Sequence, residues 1–124
     1  MSVEQVANDL ADLCRKGQFD AAVEKHYGPD IVSVEPVSMP GMPAEMKGID
    51  QIRGKNQWWV ENHEVHEVKV DGPFVGGNQF AVRYYLDVTA KPTGKRMQMT
   101  EMALYTVKDD KIVREEFYYN APGQ

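Results

Sequence analysis

The sequence predicts an α+β domain, with helices concentrated in its N-terminal half and a run of antiparallel strands in its C-terminal half. Three observations predict it. Apolar residues recur at helical spacing from Val3 to Tyr27 and again from Ile49 to His63. From Gln79 onward the pattern switches to alternation in a stretch rich in Val, Tyr, Phe and Thr. Two short turns, Lys91-Pro92-Thr93-Gly94 and Lys108-Asp109-Asp110, divide that stretch into three strands, Gln79–Thr89, Arg96–Val107 and Lys111–Asn120. Strands joined so closely form an antiparallel meander.

The 124 residues fit one domain covering residues 1–124, enough chain for one core with a cavity. A net charge of -5 argues against a nucleic-acid partner. No apolar run approaches the ~18 residues that would cross a bilayer, so no membrane partner is expected. Met1-Ser2-Val3-Glu4-Gln5 lacks the basic and apolar regions of a signal peptide. The single cysteine, Cys14, allows no internal disulfide, and the expected location is the cytoplasm. The chain has no glycine-rich phosphate loop and no Gly-x-Ser-x-Gly elbow, and no cofactor is expected.

In order, Ser2 and Gln5 form a capping box that starts the first helix. Val3, Val6, Ala7, Leu10, Leu13 and Cys14 form its apolar face, and Gly17 stops it. Phe19, Ala22, Val23, His26 and Tyr27 make a second short helical face, ended by Gly28-Pro29-Asp30, with His26 as a structural histidine. Ile31–Pro36 reads as a short strand of undecided orientation, ended or held at a sheet edge by Pro36. Val37–Lys47 is a loop carrying Met39, Met42 and Met46, side chains that adapt to irregular apolar shapes. It is either a pliable lid over an apolar cavity or a plug of the core. Gly48 opens a third helix whose face carries Ile49, Ile52, Asn56, Trp59, Val60 and His63. Trp58 lies about 100° round from Trp59, so the two point different ways. Val65–Val70 is a strand, ended by Asp71-Gly72-Pro73, and Gly76-Gly77-Asn78 turns into the meander.

The chemistry lies in what breaks the alternation. Phe80, Val82, Tyr84, Leu86 and Val88 share one face of the first long strand. Met97, Met99, Ala103, Tyr105 and Val107 share a face of the second, with Glu101 among them, and Val113, Phe117 and Tyr119 share a face of the third, with Glu115 among them. Side chains two apart lie on one side of a strand. Two carboxyl groups thus fall on core-side faces, where each must be paired, hydrogen-bonded or protonated.

Asn62-His63-Glu64-Val65-His66-Glu67 superficially resembles a zinc motif. Its histidines are three apart rather than four, at a change from helix to strand, so no metal site is expected. His63 alone, at the end of the Trp59 face, is either a polar group in a pocket or a helix C-terminal histidine.

The order helix, helix, short strand, helix, strand and three long strands resembles the nuclear transport factor 2-like superfamily. The pieces that carry the likeness are Asp30-Ile31-Val32-Ser33-Val34-Glu35-Pro36, Gly48-Ile49-Asp50-Gln51-Ile52-Arg53, Trp58 to His66, and Thr100-Glu101-Met102-Ala103-Leu104-Tyr105 with Lys111-Ile112-Val113. Within it the chain is most similar to SnoaL-like proteins, and more distantly to ketosteroid isomerase. The resemblance implies a cone-shaped fold, with N-terminal helices packed on a curved, mostly antiparallel sheet. It also implies that Glu35, just before Pro36, stands where the isomerase has its catalytic base. Glu101 stands where the isomerase has a protonated acid that donates to an oxyanion. The isomerase's helix-one tyrosine falls near Leu10, which donates nothing, so His63 or Tyr119 would have to replace it.

Two functions follow. In the first, a small apolar or carbonyl-containing molecule enters the cone, and Glu35 and Glu101 act on it as base and acid in an isomerase, cyclase or lyase reaction. Met39, Met46, Trp59, His63, Val82, Tyr84, Met99, Glu115, Phe117 and Tyr119 would line the site. In the second, the chain is a non-catalytic apolar-ligand module or a protein-interaction adaptor, its carboxylates tied to Arg83, Arg114 or backbone amides. A homodimer through the outer sheet face is expected from Tyr85, Met102, Leu104 and Tyr118.

Overall fold

Residues 1–120 are described by a computed structural model. Helix α1 (Val3–Arg15) begins as its capping box requires: the Ser2 hydroxyl accepts from the Gln5 amide, and the Gln5 side chain accepts from the Ser2 amide. Its apolar stripe of Val6, Ala7, Leu10, Ala11 and Cys14 is buried against the sheet and α2. Helix α2 (Phe19–His26) is shorter than its sequence pattern. His26 is fully buried, with its Nε2 2.6 Å from Asp9 of α1.

Tyr27, expected on the helical face, and Gly28-Pro29-Asp30, expected to stop it, together begin strand β1 (Tyr27–Val34). Pro29 is tolerated because the β1 register shifts between Tyr27 and Val32, where no ladder bond is demanded of it. Pro36 lies just beyond β1, which is an interior strand of the sheet. The methionine loop contains a three-residue strand, β2 (Glu45–Lys47), on the outer edge of β1. Helix α3 (Ile49–Asn62) follows Gly48, whose φ of +90° makes the sharp entry.

Strand β3 (His63–Gly76) runs twice as far as the pattern suggested, straight through Asp71-Gly72-Pro73. It is the other edge of the sheet, and its register shifts between Asp71 and Phe74, so the missing proline N–H costs no ladder bond. The meander β4 (Gln79–Ala90), β5 (Lys95–Lys108) and β6 (Lys111–Tyr118) matches the sequence reading closely. Asp109 and Asp110 both take positive φ, the geometry of a two-residue hairpin turn.

The six strands lie in the order β2-β1-β6-β5-β4-β3, antiparallel except for β1 against β6. The helices pack on the concave face of this curved mixed sheet, and the fold is the α+β, nuclear transport factor 2-like one. One inward position differs from the alternation. A shift of register opposite Thr106 and Val107 turns Ile112 inward in place of Val113, and Ile112 is fully buried while Val113 is half-buried. The same irregularity restores Glu115 to the inner face.

Ile112→Ala should therefore cost roughly 2–5 kcal/mol, with Val113→Ala costing well under half as much. Urea melts of the two variants check this, and equal midpoints would contradict the register.

Candidate functional site

Three rows of side chains across the inner sheet face make the floor of the site. Register places Ser33 of β1 beside Glu115 of β6, and Glu115 beside Tyr105 of β5. The next row brings Phe117 beside Ala103 and Ala103 beside Val82. In the third, Glu101 lies directly opposite Tyr84. Helix α3 roofs these rows with Lys55, Trp58, Trp59 and, just past its end, His63. The space between is a cavity of about 780 Å³, with Met39, Met42 and Met46 of the loop among its walls.

Both Glu35 and Glu101 face this cavity, as do Met39, Met46, Trp59, His63, Tyr84, Met99, Glu115, Phe117 and Tyr119. Val82 does not. It is wholly enclosed in the core cluster that the α1 residues Val6, Ala7 and Leu10 share. Trp58, set apart in the sequence reading, also borders the cavity while remaining 41 % exposed.

The residue that sequence reasoning missed is Lys55. Its ammonium is 2.5 Å from Glu35 Oε1 and donates to the Ser33 hydroxyl at 3.0 Å. Ser33 in turn donates to Glu115 Oε1 at 2.8 Å, and the Tyr27 hydroxyl donates to Glu115 Oε2. Lys55 also stands over the Phe117 ring, 5.0 Å from its centre. A signal was available: Lys55 follows Ile52 by one helical turn, so it shares the inward side of α3. Ser33 likewise belongs with Ile31 and Glu35 once β1 is oriented by its buried members.

One interior cation thus serves three carboxyl groups. The other cation in the lining, Lys95, is exposed six residues along β5 from Glu101. Among the described residues no side chain hydrogen-bonds Glu101. Burial pushes its carboxyl up to about 7, the Glu35 charge adds to the effect, and Lys55 opposes it. Burial also raises Glu115, against the pull of Lys55, Tyr27 and Ser33. The Tyr119 hydroxyl lies against Glu35, and burial together with that charge holds its proton well above the ordinary phenol range. Arg83 and Arg114, considered above as partners for the site carboxylates, bond Asp71 and Glu116 outside it.

His63 is stacked on Trp59 at 4.6 Å and meets Trp58 edge-on at 5.9 Å. Its Nδ1 donates to the Trp59 carbonyl at 2.8 Å. His66 is elsewhere, exposed and bonded to Thr89. Deeper in, the Tyr84 and Tyr105 hydroxyls are 2.7 Å apart, and Tyr84 donates to Cys14 Sγ at 3.6 Å. Burial pushes the Cys14 thiol up to about 11, so it is an unreactive core group.

A SnoaL-like domain profile matches residues 1–119. The chain belongs to the SnoaL-like family. Among solved structures, a Mesorhizobium loti protein classed with the SnoaL-like polyketide cyclases is 46% identical, with a TM-score of 0.90 over 96% of this chain and 100% of that one. A nuclear transport factor 2-like protein of Burkholderia pseudomallei is 18% identical, with a TM-score of 0.76 over 97% of this chain and 92% of the other. A Catenulispora acidiphila protein with a ketosteroid isomerase-like fold, in complex with trimethylamine, is 18% identical, with a TM-score of 0.66 over 82% and 74%. The last two are likenesses of fold. No curated protein matches. In this SnoaL-like chain no described helix is long and apolar enough to cross a membrane.

A raised folded pKa means that folded Glu101 keeps a proton the unfolded chain has released. Stability should fall as pH rises from about 4.5 to about 7 and then level off. At roughly 1.4 kcal/mol per unit, the loss is of the order of 3–4 kcal/mol. Glu101→Gln should remove this decline and melt higher than the parent near neutral pH. A variant that is destabilised at neutral pH but not in acid would instead mark Glu101 as an ionised structural partner.

Proposed function

We propose that this SnoaL-like protein binds a small neutral carbonyl compound in the cone and moves a proton on it. The observation that carries the reading is Glu101, a carboxyl group facing the cavity with no hydrogen-bond partner among the described residues, where burial pushes its pKa up to about 7. A neutral acid so placed donates to an oxygen that gains negative charge. Glu35, in the same cavity, accepts the proton from the carbon beside the carbonyl. The Trp58, Trp59 and Phe117 rings, together with the methionines, supply the apolar surface that holds the rest of the ligand.

With more carboxyl groups than cations, the site favours neutral over anionic ligands. The Glu35–Lys55 pair also favours a second reading, a cavity that binds without reacting, because pairing is how an inert site buries a charge.

Solvent deuterium exchange at the α-carbon of 2-tetralone, followed by proton NMR, separates the two. Exchange should be faster with protein than in buffer, and Glu35→Gln and Glu101→Gln should each slow it by roughly 10²–10⁴-fold. Quenching of Trp58 and Trp59 fluorescence reports binding independently. Binding without exchange would establish the second reading and overturn the first.

A further inference from the structure

Proton removal from carbon leaves negative charge on the ligand oxygen, and something must meet it beside Glu101. Leu10 of α1 borders the cavity and has no donor to offer. His63 spends its N–H on the Trp59 carbonyl, and Tyr119 lies against Glu35. Lys55 remains. An ammonium has three N–H bonds. One goes to Glu35 at 2.5 Å and one to Ser33 at 3.0 Å. The third has no oxygen partner among the described residues and meets only the Phe117 ring. The side chain borders the cavity and is 17% exposed, so a ligand reaches it.

We propose that Lys55 is a further catalytic residue, the cation that receives the ligand's enolate oxygen, and that the substrate class is therefore an enolisable ketone or related neutral carbonyl. The proposal rests on the reading of Glu35 as the base. The charges balance. The C–H bond breaks and its proton goes to a Glu35 oxygen, which becomes neutral. The bonding pair forms the enolate C=C bond, and the carbonyl π pair moves to oxygen. Lys55 loses its anionic partner in the same step that creates another, so it exchanges a carboxylate for an enolate while the total charge of the site stays constant. No bare charge appears in the apolar cavity at any stage, which is where catalysis of this kind is otherwise most expensive. Ser33 keeps Lys55 in place during the exchange, because its own proton is committed to Glu115.

The test uses 4-nitrophenol, whose ionised form absorbs separately from its neutral form. Glu35→Gln imitates the site after proton transfer, with Lys55 lacking its carboxylate. In that variant the bound probe should be largely ionised at a pH where the free probe is mostly neutral, a preference of about tenfold or more, as expected of hydrogen bonds to charged groups. Adding Lys55→Gln in the same background should abolish the preference, while affinity for nitrobenzene, which has no acidic oxygen, stays within about twofold. The double variant replaces an ion pair by two amides, and circular dichroism verifies its fold. Binding of the neutral probe by Glu35→Gln with no preference for the ionised form, or an unchanged ionised fraction in the double variant, would overturn the proposal. The experiment involves no turnover: a Lys55-dependent preference with no exchange into 2-tetralone would refute the Glu35 base and leave Lys55 as an anion receptor.

Discussion

A single ammonium group among three carboxyl groups sets the character of this site. Lys55 pairs with Glu35, reaches Glu115 through Ser33, and acts on Glu101 only through space. One positive charge cannot neutralise three negative ones in an apolar enclosure, so the protein must keep protons where it lacks cations. Among the described residues Glu101 is the group left without a hydrogen-bond partner, and its location at the cavity wall makes it an available acid. The outer sheet face solves the same problem differently. There Asp87 accepts two bonds from Arg96 and one from Gln98, and its carboxyl is held below the ordinary range.

The fold produces this arrangement by register. Parallel pairing of β1 with β6 sets Ser33 beside Glu115, and antiparallel pairing of β4 with β5 sets Glu101 against Tyr84. The irregularity between Ile112 and Arg114 brings both Ile112 and Glu115 onto the inner face, although they are three residues apart. A strict alternation would have buried only one of them. Helix α3 completes the site because its inward side carries both Ile52, which anchors it, and Lys55, one turn later. Anchoring and chemistry come from the same face of one helix.

Much of this was legible in the sequence, for reasons that can be named. The meander declared itself because alternation and turn residues agree over β4, β5 and β6. Glu101 and Glu115 stood out because charge on an apolar face is costly. Lys55 did not stand out, because a lysine on an amphipathic helix reads as solvated until the neighbouring strand is oriented. Ser33 was hidden with it, since β1 has apolar residues on both sides. The full length of β3 was obscured by Pro73, which edge strands tolerate. Val82 looked like a wall of the cavity from alternation alone. Only the packing of α1 reveals that it lies in the core cluster.

The central claim is that burial, with too few cations to offset it, leaves a proton on Glu101. Carbon-13 NMR of the glutamate side-chain carboxyl groups, followed through a pH titration, tests it most directly. One cavity carboxyl should titrate near 7, and its signal should be absent from Glu101→Gln. If instead every glutamate carboxyl titrates within the ordinary range around 4, Glu101 is ionised at neutral pH and the account fails.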